Sequence, residues 1–314
     1  MRNVVAMRLL SATAVALSLA AGPTLAGPFS HMFGKPAQAQ KVAVGGSADD
    51  IADQVRAALD ERRFVDAGDL LEKARIDGVK SPRLTTLGGE TLLAQGRFAD
   101  AAPVFRSVEN DPSVRPAALE GEGIALSEMG KSDQAFADLK QATALDKTRW
   151  RAWNALAREY DIRHDWKESK AAYVQALAAP GADQAIVLNN RGYSHLLQNL
   201  PEQATPDFVA ALAKDPDLKA ARTNLRIAMA VQGQYDRAVM AGAGDDRAEV
   251  LNNVGLAAAI RGDYREAERL LNQAIEIKGD NYERAADNLQ LAKNLEARMA
   301  MQSASPVSAL NDHP

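Results

Sequence analysis

The sequence predicts an all-α chain, a solenoid of about seven helical hairpins, and three observations carry that reading. A 34-residue period runs through most of its 314 residues. Once per period a turn residue recurs, usually Gly or Asn, of the kind that ends a helix in the left-handed conformation. Composition agrees: Ala is visibly the commonest residue, aromatics are 5%, and the β-branched enrichment of a sheet protein is missing.

Taken in order, residues 1–26 read as a secretory signal peptide. Arg2 and Arg8 give a basic start, Leu9 to Ala21 is an apolar run, and Thr24-Leu25-Ala26 offers small residues before a cleavage point. The run is short for a spanning helix, which needs about 20 apolar residues, although an uncleaved anchor is the alternative. Removing it takes the formal net charge from −4 to −6. Residues 27–47 mix Gly, Pro, Ala and Gln without periodicity and read as a flexible linker. Residues 48–281 hold the repeats, near 48–81, 82–115, 116–149, 150–184, 185–218, 219–247 and 248–281. Residues 282–301 read as a capping helix whose Leu289, Ala292, Leu295 and Met299 cover the last open face, and 302–314 as a disordered tail.

The period is exact where it is best kept. Ala67, Ala101, Ala135 and Ser169 are each 34 residues apart, as are Arg62, Gly96, Gly130 and His164, and the series continues at Asn199 and Ala204, Gly233 and Ala238, and Gly262 and Ala267. The last interval shortens to 29, and Gly242 and Gly244 stand where a second helix should run, so a break is expected between the sixth and seventh repeats. Each unit explains itself as a hairpin. In the fourth, Trp153, Leu156, Ala157 and Tyr160 make one apolar face at i, i+3, i+4 and i+7, and Ser169, Tyr173 and Ala176 follow on the second helix. Small residues recur where backbones approach, with large ones beside them. Ala179-Pro180 and Asp215-Pro216 stop second helices.

W153-x2-L156-A157-x2-Y160, followed by A204-x3-F208-x2-A211 and D215-P216, resembles the tetratricopeptide repeat. The resemblance implies antiparallel helix pairs in a right-handed superhelix whose concave face binds peptides. The first two repeats carry Gln54-Val55 and Gly88-Gly89 where Leu-Gly is usual, and the sixth has Arg226 where a small residue is expected.

No catalytic chemistry is visible. There is no Cys, and the four histidines form no metal-ligand pair. Gly121-Glu122-Gly123 lies inside a first helix with no strand before it, so it reads as helix spacing and not as a dinucleotide loop. No phosphate loop or nucleophile elbow occurs. The reading is a non-enzyme with no cofactor, metal or small-molecule substrate, and the acidic balance argues against nucleic acid.

What remains is a surface. Positions 2, 5, 9 and 12 of each unit form a stripe about 130° around the first helix from the core stripe, and in the family it lines the concave groove. Repeats three and four place Glu120, Arg151, Asn154, Arg158 and Asp161 there; later repeats place Ile186, Asn189, Tyr193, Leu196, Thr223, Ile227, Asn252 and Leu256. The candidate peptide-binding groove is therefore Asn154, Arg158, Asn189, Tyr193, Ile227, Asn252 and Leu256. The recurrent asparagines either bond the backbone of an extended client or bond their own neighbouring helices. Tyr193, Ile227 and Leu256 either face the client or bury against an adjacent repeat. The chaperone-binding members of the family hold a terminal carboxylate with Lys and Arg; Ala220 and Asn224 stand at those places in the sixth repeat, which argues against chaperone docking.

The segments LNNRGYSHLLQN, LKAARTNLRIAMAVQGQYDRA, VLNNVGLAAAIRGDYREAERLL and YERAADNLQLAK resemble the tetratricopeptide component of the Tad (Flp) pilus assembly system. This implies an exported, periplasmic scaffold peripheral to the outer membrane, with secretin or pilus assembly components as protein clients and membrane association only through partners. The alternative is a periplasmic scaffold for polysaccharide export or envelope maintenance.

Overall fold

The structure, a computed structural model, describes residues 46–241, 246–279 and 282–304. The expected signal peptide, nearly all of the linker, Gly242 and Gly244, and the tail beyond 304 lie outside the described residues. Among the described residues there are fifteen helices and no strand. Seven hairpins run α1 (Ala48–Asp60) with α2 (Phe64–Ile76), α3 (Pro82–Ala94) with α4 (Phe98–Arg106), α5 (Arg115–Glu128) with α6 (Ser132–Leu145), and α7 (Trp150–Ile162) with α8 (Trp166–Ala178). They continue with α9 (Gln184–Leu197) and α10 (Pro201–Lys214), α11 (Lys219–Val231) and α12 (Tyr235–Met240), and α13 (Arg247–Arg261) and α14 (Tyr264–Lys278), followed by the single helix α15 (Glu283–Ala304). The chain divides into two compact units, with the boundary between Ser194 and His195 inside α9.

The hairpins share one turn. Arg62, Gly96, Gly130, His164, Asn199, Gly233 and Gly262 all have φ between 58° and 92°. In each, the next residue donates its N–H back to the carbonyl five residues earlier, as from Arg63 to Ala58, Asp165 to Tyr160 and Asp263 to Ala258, which satisfies a carbonyl that the ending helix would leave open. Helix starts are capped by side chains in places: Ser47 and Asp50 form a reciprocal capping box, Ser81 accepts from the Leu84 N–H ahead of Pro82, and Asp246 accepts from Ala248 and Glu249. Asp215 and Ala179, each before a proline, are extended and end α10 and α8.

Packing between the helices of a hairpin follows from the residues at two places. Ala67, Ala101, Ala135, Ser169, Ala238 and Ala267 are all fully buried where second helices meet first ones, and Ala204 is fully buried as well. Phe105 occupies the space that side chains on Gly89 and Gly121 would need: a Cβ on either would stand 2.6 or 2.2 Å from the ring. Leu139 fills the same role over Gly123, and Leu271 over Gly255. The Gly121-Glu122-Gly123 stretch is thus a packing surface.

The sixth hairpin departs from this template, as Arg226 foretells. Helix α12 is only six residues long, and the buried Arg226 donates its Nε–H to the carbonyl of Ala241 at 2.6 Å, just past the end of that helix. The guanidinium stands where other hairpins place a small residue under a large one. At the C-terminus α15 runs to Ala304, past the expected end at 301; it buries Ala285, Asn288 and Ala292, and its side chains from Glu296 to Met301 are exposed.

Candidate functional site

In the N-terminal unit the stripe of the first helices is a network of ion pairs. Arg56 in α1 makes a bidentate pair with Glu90 in α3, at 2.7 and 2.8 Å. These are equivalent positions one repeat apart. Arg151 of α7 stands 3.7 Å from Glu90 and 3.4 Å from Glu120, and Glu120 also receives Arg149 at 3.5 Å and the Ala152 N–H at 3.2 Å. Burial pulls the Glu90 carboxyl up, but Arg151, Arg56 and Arg149 together outweigh it and hold the group below the ordinary carboxylate value. Glu90 therefore stays ionised.

A cleft of about 440 Å3 lies over this network, lined by Arg56, Arg83, Thr86, Glu90, Val114 and Arg149 among others. The layering is specific. The Glu90 and Glu120 side chains are 9% and 7% exposed, whereas those of Arg56, Arg83 and Arg149 are 40%, 44% and 26% exposed. Glu90 lies at the floor of the cleft, while the guanidinium groups and Asp49 are its accessible groups.

Deeper in the same unit, Asp161 at the end of α7 accepts hydroxyl bonds from Ser169 of α8 at 2.5 Å, Tyr173 of α8 at 2.9 Å and Ser194 of α9 at 2.6 Å. Burial raises its carboxyl above the ordinary value, and the three hydroxyls and Arg158 oppose that only in part. Glu159, fully buried, is held by Ser127, Ser132 and Arg163.

The residues expected to line a groove are placed differently from one another. Asn154 and Asn252 have no exposed surface, and Asn189 is buried. Their amides connect neighbouring first helices: Asn190 in α9 donates to Asn154 in α7 at 3.1 Å, and Asn288 in α15 donates to Asn252 in α13 at 2.8 Å. Asn189 and Asn252 each also donate to the next residue in sequence, Asn190 and Asn253. Of the two readings of these asparagines, this geometry matches the one in which they bond their neighbouring helices. Adjacent first helices lie close enough for position 5 of one repeat to meet position 6 of the next, and the bonds are made within the protein. Ile227 and Leu256 are buried as well, so they pack and do not present a surface. Arg158 is paired with Glu128 at 3.2 Å and remains at the margin, and Tyr193 is half-buried.

The sequence reading missed Arg56, Arg83 and Glu90. The signal was present, because Arg56 and Glu90 occupy position 9 of the first two repeats with opposite charge. Among the described residues no group of three His, Cys, Asp or Glu could hold a metal ion, and no helix is long and apolar enough to cross a membrane.

Stacked helical hairpins with a cleft along their first helices define a repeat protein of the kind that presents an extended surface. More particularly, residues 52–114 and residues 248–281 match tetratricopeptide repeat models, and the fold is that of a tetratricopeptide-repeat solenoid. A tetratricopeptide repeat protein from Parabacteroides merdae is similar over 80% of this chain and 100% of its own, at 15% identity and a TM-score of 0.51. The pilF protein of Pseudomonas aeruginosa is similar over 69% of this chain and 97% of its own, at 17% identity and 0.51. A tetratricopeptide repeat protein of Thermus thermophilus covers 58% and 99%, at 16% and 0.50. These likenesses concern the fold. No curated protein matches the sequence.

Proposed function

We propose that this chain is a non-enzymatic scaffold that binds segments of other proteins along its first-helix face. The observation that carries this reading is the N-terminal cleft, a built, partly accessible surface on repeats of a type that serves protein interaction. The finer reading is an exported assembly factor for a Tad (Flp) pilus and its secretin. Its support is the resemblance of the C-terminal segments together with the basic start and short apolar run of residues 1–26. Of the residues first assigned to the client surface, Arg158 and Tyr193 retain that role beside Arg56, Arg83 and Arg149.

Deleting the chromosomal copy tests the pilus assignment. The expected result is loss of surface pili and of the secretin multimer with pilin synthesis intact. Normal piliation and a normal multimer would remove the pilus role and leave a scaffold of polysaccharide export or envelope maintenance. Intact mass of the exported protein tests the signal segment: the expected N-terminus is Gly27, and a retained Met1 would establish an anchor.

A further inference from the structure

The first three hairpins and the loop before α7 bring an excess of hydrogen-bond donors to one cleft. Every oxygen of Glu90 and Glu120 already accepts a bond or faces a guanidinium: Arg56 takes both oxygens of Glu90, and Arg149, Arg151 and the Ala152 N–H take those of Glu120. The arginines are not used up in return. Arg56 spends one N–H from each terminal nitrogen on Glu90, and Arg149 gives one terminal nitrogen to Glu120 while its Nε lies 3.2 Å from Asp146 without a hydrogen bond. Arg83 gives one terminal nitrogen to Asp53 at 2.5 Å and has Asp49 at 3.7 Å on the cleft's rim. A guanidinium carries more donors than these partners consume, and it has no acceptor. The cleft therefore presents unused N–H groups of Arg56, Arg83 and Arg149, and Asp49 is the one exposed carboxylate in its lining.

These arginines are also positioned in advance. The buried Glu90 holds the Arg56 guanidinium through two bonds and the buried Glu120 stands against Arg149, so part of the ordering that a bound partner would otherwise impose is already present. Planar guanidinium groups fixed in this way match carboxylates better than any other common protein group. Arg56, Arg83 and Arg149 come from α1, α3 and the loop before α7, three separate elements that line the cleft. A single chain-terminal carboxylate offers two oxygens, too few to satisfy three guanidinium groups. We infer that the N-terminal cleft receives an internal acidic segment of a protein partner, whose Asp or Glu side chains pair with Arg56, Arg83 and Arg149 over the floor of Glu90. This inference rests on the protein-binding reading above and names the chemistry of the partner.

The test titrates the whole exported chain against short fluorescent peptides, acetylated and amidated at their ends, that carry Glu, Gln or Lys at the same alternate positions. A fourth peptide carries Gln and a free C-terminal carboxylate. The Glu peptide is expected to bind about tenfold or more tighter than the Gln peptide, with affinity falling as salt rises. Arg83→Gln and Arg149→Gln should each weaken it about fivefold or more, with helix content and thermal midpoint near those of the parent. Arg83 is the safer variant, since Asp49 and Asp53 are mostly exposed and are not stranded by its loss. Equal binding of the Glu and Gln peptides, tighter binding of the Lys peptide, or capture of the free-terminus peptide alone would overturn the acidic-segment inference while leaving a protein-binding cleft in place. Binding of none of the peptides would overturn the cleft as a client site altogether.

Discussion

The two units use one hairpin template and fill its first-helix face in opposite ways. Up to Ser194 the first helices are stitched by charge: Glu90, Glu120, Glu122, Glu159 and Asp161 are all buried, each with an arginine or several hydroxyls against it. From His195 onward most buried positions are Ala, Val, Leu and Ile, with Asp207, Asn224 and Arg226 among the exceptions, and one polar bridge between helices is the neutral pair Asn252 and Asn288. The repeat period constrains where backbones approach and leaves the chemistry of the stripe open. The N-terminal unit keeps an accessible polar cleft, whereas in the C-terminal unit the corresponding residues Ile227, Asn252 and Leu256 are enclosed.

The largest effect should come from breaking the charged stitching. Asp161→Ala leaves the hydroxyls of Ser169, Tyr173 and Ser194 without their acceptor and should cost about 3 kcal/mol in urea unfolding. Asn252→Ala, its neutral counterpart in the C-terminal unit, should cost about 1 kcal/mol. Comparable losses would mean that the two units are held alike.

Next in size is a pair of glycines in neighbouring first helices. Gly121→Ala forces a methyl against Phe105 and should destabilise by about 1–3 kcal/mol. Gly88→Ala, where nothing stands within 4 Å of the added Cβ, should instead stabilise by up to about 1 kcal/mol through helix propensity. Thermal denaturation of both variants reads the difference in sign.

A smaller effect concerns pH. Burial, then Glu122 and Glu109, raise the Asp138 carboxyl to about 6, with Arg106 opposing. Its folded value lies above its unfolded one, so its contribution is most favourable at pH below about 4 and is lost as pH rises through 6. Asp138→Asn should therefore raise stability at pH 7.5 by less than about 1 kcal/mol, since the group is half exposed, and the gain should vanish near pH 4. Chemical denaturation at the two pH values measures it. The smallest effect is at a turn: Arg62→Gly relieves a left-handed non-glycine residue and should stabilise by a few tenths of a kcal/mol.

Much of this was legible in the linear sequence. The period that aligned Arg62, His164 and Asn199 with four glycines marked seven left-handed turns, including the three where no glycine stood. The small residues from Ala67 to Ala267 marked the buried contacts within each hairpin, and Arg226 marked the hairpin that departs from the rest. These features lie within one repeat, where local sterics and helical periodicity decide the outcome. The stripe was not legible in the same way. The role of Asn154 and Asn252 stayed open between a client and a neighbouring helix, and the pairing of Arg56 with Glu90 went unread, because their partners lie about one repeat away.

The sequence by itself therefore determined the helical hairpins, their turns and the positions where large side chains meet small ones. Whether a stripe residue faces solvent or a neighbouring helix was decided only by tertiary structure. That depends on how closely successive first helices stack and on which polar groups then come within bonding distance, as Asn190 does with Asn154 and Glu90 with Arg56.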